Sequence, residues 1–464
     1  MQYFKPAADA LNVGDCIPFF HDGIFHLFYL LDEGHHHAKG GLGAHQWAHA
    51  STTDLVHWEH HPLAIPLTDD RECSICTGSV FTHEGLYRAY YATRLADWSE
   101  HLSLAVSTDG VHFEKTEPNP FASPGPETTR SYRDPHVFRD PDTGLFHLLV
   151  TTALRDYAAH DRGGCLGHLV SRDLETWQAA EPFLLPGYHG DPECPDTFEW
   201  HGWYYLIFSN DGVARYRMSR RPLGPWLRPA VDTFDGPMAR VLKTAAFTGD
   251  RRLGVAFLPV LEGDRDDGGW LYGGNAVFRE IIQHEDGTLG TRFPAEMIPA
   301  SGAPLDLPFE PLTDGLSRAG RDVAIDALTG FRVGAFTGVP LNCRITARVN
   351  PRPNASYFGL CLRGSGGCEQ GYELRLSARD RKAEIASPLA RTTDANPGRS
   401  IGNVEGLDRP FTLDVIARDT LIDVCLDHRR CLVSRCPEQR GDRLFVFAQN
   451  AEVMFESLEI RPLL

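Results

Sequence analysis

The chain has 464 residues, 10% of them aromatic, with 44 glycines and 32 prolines. That length exceeds one ordinary domain, and the glycine and proline content suits many short strands joined by tight turns better than helices. A formal net charge of −17 argues against nucleic acid or an anionic membrane surface as partner and leaves neutral sugars open.

At the N-terminus, MQYFKPAADALNVGDCIPFF lacks a basic segment followed by a continuous apolar run, and no stretch of the chain is long and apolar enough to span a bilayer. Eleven cysteines, an odd number, point to reduced thiols, so the expected location is cytoplasmic.

From Asp15 a repeating unit begins. DCIPFFHDGIFHLFYL is a short strand, a tight turn and an apolar strand. The shape returns at Gly78 (GSVFTHEGLYRAYYA), in SYRDPHVFRDPDTGLFHLLV around Asp134, at Glu193 (ECPDTFEWHGWYYLIFS) and, more faintly, at Lys243 (KTAAFTGDRRLGVAFLP). Such spacing is a period of roughly 50 to 60 residues, which signals a propeller or solenoid. A second hairpin follows within the units, as in AHASTTDLVHWEHHPLAI and SLAVSTDGVHFEKTEPNP. Four strands per unit and five units predict a five-bladed β-propeller over residues 1–298.

Residues at the same place in successive repeats face one axis in such a fold. Asp15, Asp134 and Glu193 hold equivalent places in the first, third and fourth units. Three carboxylates far apart in sequence are therefore expected to meet in one funnel. No metal or cofactor is expected there. Cys73-x-x-Cys76 has no second pair at a matching distance, and His35, His36, His37, His45 and His49 lie in or near a glycine-rich connection with no carboxylate at ligand spacing.

Pro299–Gly320 (PASGAPLDLPFEPLTDGLSRAG) is rich in proline and glycine and weakly periodic, so residues 299–320 are expected to form a linker. From 321 to 464 regularly spaced alternating strands predict a C-terminal β-sandwich, either a structural companion or a second sugar-binding module.

Gln46–Ala50 with Asp54–Glu59, Cys76–Ser79, Arg133–Pro135, Glu193–Asp196, and Arg279-Glu280 with Asp286–Leu289 follow one another along the chain, and in their order and spacing they resemble the motifs of glycoside hydrolase family 32, the invertase, inulinase and levanase family. Gln46-Trp47-Ala48-His49-Ala50 with Asp54-Leu55-Val56-His57-Trp58-Glu59 resembles the segment after its first hairpin. Cys76-Thr77-Gly78-Ser79 is similar to its aromatic-Ser-Gly-Ser motif, Arg133-Asp134-Pro135 to its Arg-Asp-Pro motif, and Glu193-Cys194-Pro195-Asp196 to its Glu-Cys-Pro-Asp motif. Arg279-Glu280 with Asp286-Gly287-Thr288-Leu289 resembles its closing segment, and GDRLFVFAQNAEVMFESLEIRPL the end of its sandwich. The departure lies in the first motif, where an Asn-Asp-Pro-Asn-Gly run is replaced by Val13-Gly14-Asp15-Cys16-Ile17-Pro18.

The resemblance implies a retaining hydrolase of β-fructofuranosyl linkages in sucrose, a fructo-oligosaccharide or a fructan. It makes Asp15 the nucleophile, Glu193 the acid and then base, and Asp134 a ligand of ring hydroxyls. Arg133 either offsets the crowded negative charge or forms a structural ion pair. Trp47, Trp270 and Tyr188 are either flat walls for a furanose or core side chains. Thr77 and His49 are candidates for hydroxyl contacts or for orienting the site, and Asp196 for support behind the acid. A fructosyltransferase, an arabinofuranose-releasing glycosidase and a non-catalytic sugar-binding protein are the alternatives. Oligomeric state and phosphorylation of the sugar stay open.

Overall fold

The computed structural model describes residues 2–8, 10–125, 128, 131–352, 355–388 and 399–464. Alternating apolar and polar runs form antiparallel meanders almost throughout, as that period dictates. Leu11–His21, Ile24–Glu33, Gln46–Thr52 and Glu59–His60 pair in that order, as do Ser74–His83, Leu86–Arg94, Glu100–Ser107 and Glu114–Lys115. Arg133–Arg139, Phe146–Ala153, Gly164–Ser171 and Gln178–Leu184 make the third meander, and Glu193–Trp200, Trp203–Asn210 and Val213–Ser219 the fourth. Arg240–Phe247, Arg251–Leu261, Trp270–Gln283 and Leu289–Arg292 form the last, joined to the first where Val13 pairs with Gly274. Asp22-Gly23, Glu84-Gly85 and His201-Gly202 are two-residue hairpin turns in which both residues have positive φ. That matches strand twist and requires glycine or a tolerant polar residue.

The leading strands pack side by side in a closed ring: Leu11–His21 on Ser74–His83, then Arg133–Arg139, Glu193–Trp200, Arg240–Phe247 and back to Leu11–His21. Every one of them breaks register near its start. The breaks fall between Val13 and Cys16, between Ile75 and Gly78, between Arg133 and His136 (opposite Thr151 and Leu149), between Glu193 and Asp196, and between Arg240 and Lys243. A bulge re-aims the side chains beside it. Asp134, Cys194 and Val241 sit at these bulges with φ of 54°, 52° and 54°, a region costly for a branched residue such as valine.

Among the described residues, twelve further strands make the C-terminal unit, a β-sandwich-like sheet. Its last strand, Arg443–Pro462, pairs with Tyr357–Ser365 in its first part and with Cys343–Pro351 in its second, while Asp322–Thr337 runs along it on the other edge. One strand thereby belongs to two layers, and Val349, Phe358, Leu360, Leu374, Val415 and Val424 are buried together in its core. Phe309–Pro311 and Leu316–Ala319, inside the stretch expected to be a linker, pair with Asp322–Thr337.

The two units share a buried polar joint. Arg279, fully buried, donates through Nε to Asp235 at 2.6 Å and through Nη1 and Nη2 to Asp423 of the C-terminal unit at 2.8 and 2.9 Å, and Tyr3 Oη donates to the same carboxylate at 2.9 Å. Among the described residues no helix is long and apolar enough to cross a membrane.

Candidate active site

The ring of bulges surrounds a cavity of about 580 Å³ lined by Asp15, Asp134 and Glu193. Each acid arrives from a different leading strand. Asp15 follows Gly14, where a side chain would strike the Tyr272 hydroxyl at 2.6 Å. Thr77 Oγ1 donates to Asp15 Oδ2 at 2.5 Å and Tyr272 Oη donates to Oδ1 at 3.0 Å. Cys194 Sγ, beside Glu193 in sequence, approaches Asp15 Oδ2 at 3.7 Å. Asp134 is buried and accepts from Thr151 Oγ1 at 2.9 Å and the Cys194 backbone N–H at 3.1 Å.

Glu193 keeps 33% of its side chain exposed toward the cavity and accepts from Arg133 Nη2 at 2.9 Å. Burial among protein atoms pushes its carboxyl up to about 7; the Arg133 charge pulls back, and the charges of Asp134 and Asp15 add to the rise. Asp15 is also raised by burial, against the hydrogen bond from Thr77, with the Asp134 charge adding and the Tyr272 bond opposing. Arg133 joins the acids: besides Glu193 it faces Glu100 at 3.3 Å, Asp134 at 3.6 Å and Asp191 at 3.6 Å. The charge-offsetting and ion-pair readings of Arg133 are therefore one geometry.

The aromatic candidates lie elsewhere. Trp47 is fully buried in the core of the first meander, its indole donating to the Cys76 carbonyl at 2.9 Å. His49 is buried between Phe28, His26 and His61, with a ring nitrogen 3.0 Å from His26, and burial lowers its pKa to about 2. Tyr188 donates to Asp232 at 2.7 Å beneath the Arg215 guanidinium, and Trp270 packs into the cluster that joins the two units. These four do not line the cavity. They sit on outer strands or loops, and the leading strands hold the centre. Asp196 is buried behind the acid, accepting from the Thr244 N–H at 2.9 Å.

Sequence reasoning missed Tyr272, Arg94, Glu100 and Arg240, all on the cavity wall. It also missed a carboxylate near the histidines. Asp32 accepts from the backbone N–H groups of His35 and His36 at 3.1 and 2.7 Å and lies 3.0 Å from His45 Nε2, while His35 Nδ1 meets the Tyr272 carbonyl at 2.8 Å. The histidine run thus clamps the backbone of Tyr272. Asp32, three residues before His35, was the available signal. Among the described residues no group of three or more His, Cys, Asp and Glu side chains is placed to hold a metal ion.

Two raised carboxyls and a third, hydrogen-bonded carboxylate around one cavity suit acid–base and nucleophilic chemistry on a small polar substrate. Residues 4–222 match the glycosyl hydrolases family 32 N-terminal domain. The chain is 28% identical over 235 residues to a sucrose-6-phosphate hydrolase of Escherichia coli, covering 46% of this chain and 43% of that protein. A levanbiose-producing levanase of Bacillus subtilis (strain 168) is 27% identical over 245 residues, 49% of this chain and 43% of that one. The match therefore spans less than half the length of these relatives. In fold, fructan 1-exohydrolase IIa from Cichorium intybus superposes with a TM-score of 0.74 over 99% of this chain and 96% of that one, at 16% identity.

Proposed function

The chain belongs to glycosyl hydrolase family 32 through residues 4–222, and on that premise we propose that it hydrolyses β-fructofuranosyl linkages with retention, through a covalent fructosyl ester. The observation that carries this is the shared cavity of Asp15, Asp134 and Glu193, with Glu193 held at about 7. Asp15 attacks the anomeric carbon as Glu193 protonates the leaving oxygen; Glu193 then takes a proton from the water that attacks the ester and frees Asp15. Thr77 and Tyr272 orient the attacking carboxylate, Asp134 binds ring hydroxyls, and Arg133 keeps the clustered acids from repelling one another.

The fold reading that accompanies this is a five-bladed β-propeller over residues 1–298 that carries the chemistry, followed by a connecting stretch at 299–320, two short strands of which join the C-terminal sheet, and a sandwich at 321–464. The closed ring of leading strands supports it. All eleven cysteines are buried and free, in keeping with a cytoplasmic enzyme. Incubation with sucrose, kestose, inulin, levan and arabino-oligosaccharides, followed by analysis of released monosaccharide, tests the reading. Fructose release that disappears in Asp15→Asn and falls about 10²- to 10⁴-fold in Glu193→Gln is expected. Absence of turnover on all of them, or full activity in either variant, overturns it.

A further inference from the structure

Away from the cavity, two cysteines are built into a pair that has its own base. Cys425 and Cys431 stand directly opposite each other on the hairpin made by Leu421–Leu426 and Arg430–Arg435. Residues opposed in this way on antiparallel strands have Cα atoms about 4.5 or 5.5 Å apart, within the roughly 4.4–6.8 Å that a disulfide spans. Both thiols are buried and free, and they hydrogen-bond to each other. The turn Asp427-His428-Arg429 has φ of 52° and 50° at its first two residues. It leaves His428 exposed at the surface, with its ring hydrogen-bonded to Cys425.

The hairpin is also an element by which the C-terminal unit grips the N-terminal one. Cys431 Sγ lies 3.6 Å from the Thr291 carbonyl oxygen, and the Thr291 N–H donates to the Arg429 carbonyl at 3.0 Å. Asp423, the acceptor of Arg279, sits on the same hairpin two residues before Cys425.

The two sulfurs are not equivalent. The bond from Cys431 holds the Cys425 thiol down to about 7; burial opposes this, and the bond and charge of His428 lower it further. His428 is raised by the same bond, so the proton of Cys425 has a place to go. Cys431 is pushed well up, by burial first and then by its bond to Cys425 and that sulfur's charge. A thiolate beside a thiol that keeps its proton is the arrangement of an attacking and a resolving cysteine. Cys361 and Cys368 also touch, but there the Cys361 thiol is pushed well up, by its bond to Cys368 first and by burial next.

We propose that Cys425 and Cys431 form a redox-modification site at the joint between the two units, with Cys425 attacking, Cys431 resolving, His428 as base and hydrogen peroxide as oxidant. Cys425 passes its proton to His428 and attacks one peroxide oxygen. The O–O bond breaks, and the other oxygen leaves as water with the proton that His428 returns. Cys425 is then a sulfenic acid. The Cys431 sulfur attacks it, the S–S bond forms as the S–O bond breaks, and the hydroxyl leaves with the Cys431 proton as a second water. Two thiols and one peroxide thus give one disulfide and two waters, with two electrons passing from the sulfurs to the peroxide. The bridge clips the hairpin that holds the joint.

The full chain is treated with hydrogen peroxide at pH 7 without denaturant, its remaining thiols are alkylated, and its proteolytic fragments are mapped by mass spectrometry. A Cys425–Cys431 bridge is expected to form ahead of oxidation at any other cysteine and to be reversed by dithiothreitol. In Cys431→Ser the sulfenic acid of Cys425 should accumulate and be captured by dimedone, and in Cys425→Ser Cys431 should not be captured. His428→Asn, which suits the positive φ of the turn, should slow bridge formation about tenfold at pH 7, because a thiol returned toward its usual value near 8.5 holds less thiolate. That deficit should shrink as pH rises to about 9, where the free thiol ionises unaided. The reaction of the parent protein decides the matter without any variant: no bridge between Cys425 and Cys431, or a Cys361–Cys368 bridge that forms as fast, overturns the proposal. Capture at Cys431 in place of Cys425, or an unchanged rate in His428→Asn at pH 7, overturns the assigned roles.

Discussion

The hydroxyl of Tyr272 makes two hydrogen bonds to a single residue, accepting from the Asp15 backbone N–H at 3.1 Å and donating to Asp15 Oδ1 at 3.0 Å. Gly14 permits this approach, since any Cβ there would collide with the phenol. The departure from the family's asparagine-rich first motif is thus matched by a phenol reaching in from the strand Trp270–Gln283. Tyr272→Phe removes a bond to a charged acceptor worth about 1.5–3 kcal/mol, or roughly 10- to 100-fold in rate. Because that bond lowers the Asp15 pKa, its loss raises it, and Asp15 attacks only when ionised. The acid limb of the kcat/KM profile against pH is expected to move upward in Tyr272→Phe, whereas a purely structural loss would lower the whole profile without moving it.

Glu193 sets the opposite limb. It must be protonated to act on the leaving oxygen, and its carboxyl is held at about 7. The kcat/KM of the parent enzyme is therefore expected to fall as pH rises through about 7. The Arg133 guanidinium opposes the rise, through its charge and through its 2.9 Å hydrogen bond. In Arg133→Gln the basic limb should move to higher pH while the maximal rate drops. A basic limb that stays in place or moves down would show that another group titrates there.

How much of this could be read from the chain depends on which strand a residue occupies. The hairpin units and the three acids were legible because repetition places equivalent residues around one axis. Trp47 and His49 stood in family motifs, but they lie on Gln46–Thr52, two strands out from the ring, where side chains fill the core of the meander. Tyr272 was hidden for the converse reason. It too lies two strands out, yet it reaches the cavity because its strand pairs with the first strand at Val13 and Gly274, a contact between the ends of the ring that no repeat announces. Arg240 was concealed by the faintness of the last unit, whose opening was placed at Lys243, beyond the bulge that aims it.

Lys243 itself offers a third test. It is buried, and its Nζ donates to the carbonyls of Gly78 at 3.0 Å and Pro195 at 2.9 Å, tying together the bulges that present Thr77 and Glu193. Lys243→Met keeps most of the volume and leaves two buried carbonyls without a donor, each costing about 1–3 kcal/mol. A lower denaturation midpoint together with a reduced kcat is expected. Unchanged stability would mean that water takes over both bonds.

The joint between the two units provides the fourth. Arg279→Met strands the buried carboxylates of Asp235 and Asp423, and breaking a buried pair from one side costs about 3–5 kcal/mol. Burial already raises Asp235 to about 6 with Arg279 opposing the shift, and Asp423 is raised as well, so removing the guanidinium drives both higher. A carboxyl whose folded pKa exceeds its unfolded value contributes stability that is fully present below the unfolded pKa, near 4, and is lost as pH rises through the folded one. The destabilisation of Arg279→Met, measured by denaturant titration, should therefore be larger at pH 8 than at pH 5. Adding Asp235→Asn and Asp423→Asn removes the stranded charges, so the triple variant should recover part of the loss and depend less on pH between those values. If the single variant lost the same stability at both pH values, the joint would be acting through packing, with the charge of Arg279 immaterial.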